Sequence, residues 1–151
     1  MSSAMPIIQE HRDLAPGIER LRDVADSVGE MAPEVTTREV HWALEFLRAH
    51  LIPHARGEDR ELYPVIAGIM GSSRATMTMT RDHMEVEVLT GKLERAIEEH
   101  DVHMVRRLLY GLYHLLKLHL MKEEEIYLPL LEDHLTRSEV EALVERMHAH
   151  R

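Results

Sequence analysis

Apolar residues return every three or four positions along most of this chain, and no segment alternates in the two-residue rhythm of a strand. The pattern predicts an all-α fold. A first helix gathers Ile7, Ile8, His11, Leu14, Ala15, Ile18, Leu21 and Ala25 on one side, with Pro6 suited to its first turn and Pro16 expected to kink it. Between Gly29 and Pro33 the rhythm breaks. Thr36, followed three residues later by Glu39, has the signature of a capping box and opens a second helix through Val40, Leu44, Leu47, Leu51, His54 and Glu58 toward Tyr63. Pro53 and Gly57 are unfavourable inside it. Ser73 closes the GSSR loop as a candidate cap, and the third helix is expected over residues 75–99, with Val86, Leu89, Leu93 and Ile97 inward. Asp101 is suited to cap the fourth. Its stripe of Val105, Leu108, Leu112, Leu116, His119, Glu123, Ile126 and Leu130 lies within about 60° of His119 at about 100° per residue. Thr136 with Glu139 signals a tail helix over about 137–149. Four long helices with short connections predict an up-down-up-down four-helix bundle over about residues 7–132, with a short C-terminal helix, as one domain over 1–151.

The 151 residues carry 27 acidic against 18 basic side chains, a formal net charge of −9, which argues against a surface built to neutralise nucleic-acid phosphates or anionic lipid. Small molecules and cations fit better. With no cysteine, a bound metal would be held by nitrogen and oxygen. The start MSSAMPIIQEHRD has neither a basic leader nor an apolar run, and no later stretch approaches membrane-spanning length, so a cytoplasmic protein without membrane contact is expected. No phosphate-binding glycine loop, Ser-His-Asp signature or basic aromatic surface is present. The unusual feature is twelve histidines.

Each predicted bundle helix puts one histidine on its apolar stripe: His11, His54, His83 and His119. Two of them add a glutamate one turn later, Glu58 and Glu123, in HARGEDRELYP and HLMKEEEIYLP, and each segment has a proline ten residues past its histidine. Residues four apart share a helix face, so each His-x-x-x-Glu presents a nitrogen and a carboxylate to the same point. That is half of a metal site, written twice, in an internal two-fold repeat. One histidine on an apolar face is more often a hydrogen-bonded core residue than a ligand. Six such groups around one point are another matter, because burying them without a cation would cost many kcal/mol. Four imidazoles and two carboxylates exceed what one tetrahedral zinc needs, so the set favours two ions with shared carboxylates and leaves the element open among iron, manganese and zinc. His50, one turn before His54, and Glu61, seven residues after it, are candidates for extra ligands or for groups that orient an imidazole; Tyr63, Tyr110, Tyr113 and Tyr127, the last one turn after Glu123, are candidate phenols.

With these residues assembled, the pattern of His11, His54-x-x-x-Glu58, His83 and His119-x-x-x-Glu123, each pair closing on ELYP or IYLP, resembles the hemerythrin-like, or HHE cation-binding, family over about residues 7–132. The resemblance implies a hemerythrin bundle with a non-haem di-iron centre, bridged by oxo or hydroxo and by Glu58 and Glu123, with the four histidines as terminal ligands; zinc or manganese is the lesser expectation. The oxygen carriers of that family have a second histidine on the third helix, where this chain reads HMEVE and places Glu87 in the register of the lost ligand. Simple dioxygen carriage is therefore not implied. The function expected is binding, sensing or consuming dioxygen, peroxide or nitric oxide; the alternatives are a redox-inert iron-binding or storage module, or a bundle that only docks to a partner.

Overall fold

The structure, a computed structural model, describes residues 2–150. Five helical rods follow one another: α1, Met5–Ser27; α2, residues 33–70; α3, Met77–Glu98; α4, residues 102–134; and α5, Arg137–His148. The first four form the up-down-up-down bundle, α4 packing between α1 and α3, and α5 returns across α1 and α2. No strand occurs among the described residues, and none of the helices is long and apolar enough to cross a membrane.

Rods α2 and α4 are interrupted by wider π-helical turns, at Leu47–Leu51, Glu58–Leu62 and Glu123–Tyr127. The cause is legible in the chain: each turn ends two residues before a proline, Pro53, Pro64 or Pro129. A proline ring presses on the carbonyl four residues back and offers no N–H to it, and in each case that carbonyl lies inside the widened turn. Pro16, expected to kink α1, lies within a helix that runs on without ending there.

Several local expectations are corrected. Thr36 and Glu39 do not cap α2, which begins earlier at Pro33 with Ala32 in the cap position; proline's fixed φ starts the helix there. Ser73 lies in the turn before α3, whose cap position is Thr76. Ile126 is 54% exposed while Tyr127 is buried, because a π turn takes an extra residue per revolution and everything after Glu123 lags behind α-helical phase. Asp101 does accept the Met104 N–H at 3.1 Å, and Thr136 with Glu139 forms a complete capping box for α5. Gly71 ends α2 at φ +73°, a left-handed conformation that glycine adopts without strain.

Two apolar clusters fill the bundle. One includes Ile18, Leu21, Leu47, Leu93, Leu109 and Leu112; the other includes Ile7, Leu62, Met79, Leu128 and Leu131, and α5 adds Val140, Leu143 and Met147 to it. Along every bundle helix the buried histidines and glutamates fall between the two. They form a band of charge in an otherwise largely apolar interior.

Candidate metal centre

His11, His54, Glu58, His83, His119 and Glu123 are each at most 6% exposed and converge in this band. They form two groups of possible ligands, Glu58 with His83, His119 and Glu123, and His11 with His54 and Glu58. Glu58 divides its oxygens between them: Oε1 lies 3.2 Å from His83 Nε2, and Oε2 lies 3.3 Å from His54 Nε2 and 3.6 Å from His11 Nε2. Glu123 does the same. Its Oε1 lies 2.8 Å from His119 Nε2 and its Oε2 3.0 Å from His11 Nε2. At one end the Nε2 atoms of His83 and His119 face each other at 2.9 Å.

Behind each imidazole stands a carboxylate. Nδ1 of His11 faces Glu124 at 3.3 Å, that of His54 faces Glu10 at 3.4 Å, that of His83 faces Asp59 at 3.0 Å, and that of His119 faces Asp82 at 2.9 Å. A carboxylate accepts only, so Nδ1 carries a proton and Nε2 points inward, where a metal that displaces its proton would find the lone pair a ligating histidine needs. The four contacts make a closed circuit, α1 to α2 to α3 to α4 to α1. Each helix supports the histidine of the next with the residue beside its own inner residue: Glu10 before His11, Asp59 after Glu58, Asp82 before His83, Glu124 after Glu123. Sequence reasoning missed all four, because side chains one residue apart do not share a face and each acts across a helix boundary. The doublets EH and DH, ED and EE, at matching places in the two repeats, were the available signal.

Of the four candidate phenols it is Tyr63, and not Tyr127, that reaches the cluster. The Tyr63 hydroxyl donates to Glu123 and lies 3.3 Å from His83 Nε2 and 3.1 Å from His119 Nε2. Five residues past Glu58, it would point well away from the cluster on an α-helix; the π turn over Glu58–Leu62 brings it back. The same lag turns Glu61 toward α5, where it pairs with Arg146 and His150. Glu87 is exposed and pairs with Arg56 across the α2–α3 surface, away from the ligand register. His50, a turn of about 5 Å along the axis from His54, is exposed and packs over Phe46 on the rim of a cavity. The hydroxyl of Tyr127 donates to the Ala75 carbonyl at 3.1 Å.

Electrostatics tie the inner groups together in the metal-free protein. Burial alone would push the histidines down; the carboxylates outweigh it and raise His11 to about 10, His54 and His83 to about 9 and His119 to about 12. Burial would likewise raise Glu58 and Glu123, and repulsion from Glu58 adds to this for Glu123, yet the facing histidines hold both below the usual carboxylate range. Burial, with the charges of Glu58 and Glu123, pushes the Tyr63 phenol well above 10. Three buried inner atoms, His11 Nε2, Glu58 Oε2 and Glu123 Oε2, find no hydrogen bond among the described residues although they crowd together. Converging nitrogen and carboxylate atoms of this kind are what a cation satisfies, so the donor set fits a metal.

The family model described as "Hemerythrin HHE cation binding domain" matches residues 6–131. No curated protein and no solved structure gives a significant match.

Proposed function

The chain belongs to the Hemerythrin HHE cation-binding domain family, and from that premise we propose that it holds two iron ions and binds, senses or reacts with dioxygen, peroxide or nitric oxide. The observation that carries the reading is the division of both buried carboxylates between two histidine pairs, His83 with His119 and His11 with His54. A carboxylate so placed offers one oxygen to each of two cations. Imidazole and carboxylate together, without thiolate, suit iron. When bound, a pair of irons supplies the electrons for capturing or reducing a small oxidant.

The chain's own residues make the two ends unequal. At the His83 and His119 end, the Tyr63 hydroxyl adds an oxygen. The corresponding position of the second repeat, nine residues past His119, is Leu128, which has no donor. The His11 and His54 end therefore offers one protein oxygen fewer, and a metal held there would have room for a small ligand. A cavity of about 710 Å³ between α1, α2 and α5 reaches His54, past Trp42, Phe46 and His50, and gives a small ligand a way in. The buried Leu62, Leu116 and Leu128 limit water around the band.

The test is metal analysis and the visible spectrum of protein purified without added metal, followed by anaerobic reduction and exposure to peroxide and to nitric oxide. Two irons per chain, with an absorption that bleaches on reduction and changes with either oxidant, is expected. One zinc, or no metal, overturns the di-iron reading. Two irons that neither change colour nor consume peroxide or nitric oxide would identify a storage module instead.

A further inference from the structure

We propose that the C-terminal helix α5, beyond the family-matched residues, is a working part of the metal centre: His148, through Glu10, positions the His54 imidazole and so sets how tightly the His11 and His54 end holds its metal. The inference rests on the two-metal reading above and adds a residue to it.

The Glu10 carboxylate stands between two histidines. Its Oε2 lies 3.4 Å from His54 Nδ1 and its Oε1 accepts from His148 Nε2. Glu10 is thereby held in place from α5, and His54 is held by Glu10. The opposite half of the molecule shows what such support is for. By the internal repeat, Glu10 corresponds to Asp82 and His54 to His119; Asp82 faces His119 Nδ1 at 2.9 Å and is gripped by Lys122 Nζ at 2.6 Å. Lys122 lies three residues past His119. The residue three past His54 is Gly57, which has no side chain to offer.

Gly57 explains where the missing cationic donor went. A Cβ built on it would lie 2.7 Å from the Met147 carbonyl oxygen, so α5 passes where the lysine's counterpart would stand. Met147 is fully buried at this contact, and its neighbour His148 reaches Glu10 in the lysine's stead. Arg146 and, just past the end of α5, His150 fasten the same stretch of chain to Glu61, at 3.2 and 2.8 Å, three residues past Glu58. One repeat thus supports its carboxylate–histidine pair from within the bundle; the other has replaced that support with α5. A carboxylate so placed keeps the Nδ1 proton on His54 and aims its Nε2 at the cluster, and loss of partners of this kind typically weakens metal binding 10- to 100-fold.

The test is anaerobic titration of metal-free full-length protein with ferrous iron against a competing chelator, for wild type, His148→Ala, His148→Gln and Glu10→Gln. His148 is 48% exposed, so its substitutions leave the core intact. For His148→Ala we expect one iron bound with wild-type affinity and the second weakened about tenfold or more. His148→Gln, whose amide N–H still reaches Glu10, should recover most of the loss, and Glu10→Gln should show the same single weakened step. Two unchanged steps in His148→Ala, or two steps weakened alike as general loosening would give, overturn the proposal and leave the di-iron reading standing. A wild-type protein that takes up no iron overturns both.

Discussion

A single carboxylate, Glu58, faces three histidine nitrogens within 3.6 Å, and in the metal-free protein protons do part of the work of a cation there. The four histidines bind protons more tightly when folded than their ordinary value of 6.5. A group raised in this way contributes stability that is fully present below its unfolded value and is lost as pH rises through the folded one. The metal-free protein should therefore melt at falling temperature as pH climbs from about 6.5 to about 9, the values between which His54 and His83 lose their protons' contribution, and less steeply beyond, where only His11 and His119 still contribute. Metal binding displaces those protons, so the loaded protein should lose this dependence and release protons on loading. Melting curves of both forms across that range check it. A metal-free protein whose melting point stays level from pH 7 to 9 would show that the cluster does not hold its protons as its geometry requires.

Among the elements, the π turns decide which residues face inward. Proline at position 64 sits where its ring strains an α-helical turn, and the wider turn before it carries Tyr63 to the cluster. Pro64→Ala relieves that strain. It is expected to reproduce the effect of Tyr63→Phe on the metal centre, a shifted charge-transfer spectrum and weaker retention of one metal, although it leaves the phenol in the chain. A Pro64→Ala spectrum identical to wild type would separate the proline from the placement of Tyr63. The same turns mark how far the sequence could be read. From each histidine to the glutamate one turn on, His54 to Glu58 and His119 to Glu123, α-helical spacing applies, and the structure brings all six inner residues into one cluster. Past those glutamates the phase changes, which is why Ile126 and Glu61 face elsewhere and why Tyr63 rather than Tyr127 is the phenol at the cluster. The four helices of the bundle were legible from their apolar stripes. The outer carboxylates were not, because pairing between helices depends on how the rods sit side by side.

For the molecule as a whole, a polar band between two apolar clusters is a liability that bound metal turns into a tie. The two ions would join α1, α2, α3 and α4 through the six inner residues, and a ligand that binds only the folded state stabilises it by mass action. Stripping the metal with a chelator should lower the melting temperature by roughly 10 °C or more, on the scale of 4 kcal/mol for a ligand present at a thousandfold its Kd, and adding metal back should restore it. Equal melting temperatures before and after chelation would mean that the fold does not lean on the site. The circuit of outer carboxylates has a further consequence, one of ancestry. Glu10 and Asp82 support histidines within their own helical pairs, α1–α2 and α3–α4, whereas Asp59 and Glu124 support histidines in the opposite pair. A single hairpin that dimerised with a second copy of itself would close the same circuit with no change of wiring. The chain is arranged as such a dimer fused end to end, and Gly57 against Lys122 and Tyr63 against Leu128 mark where its two copies differ, Tyr63 of one and Lys122 of the other both serving the His83 and His119 end.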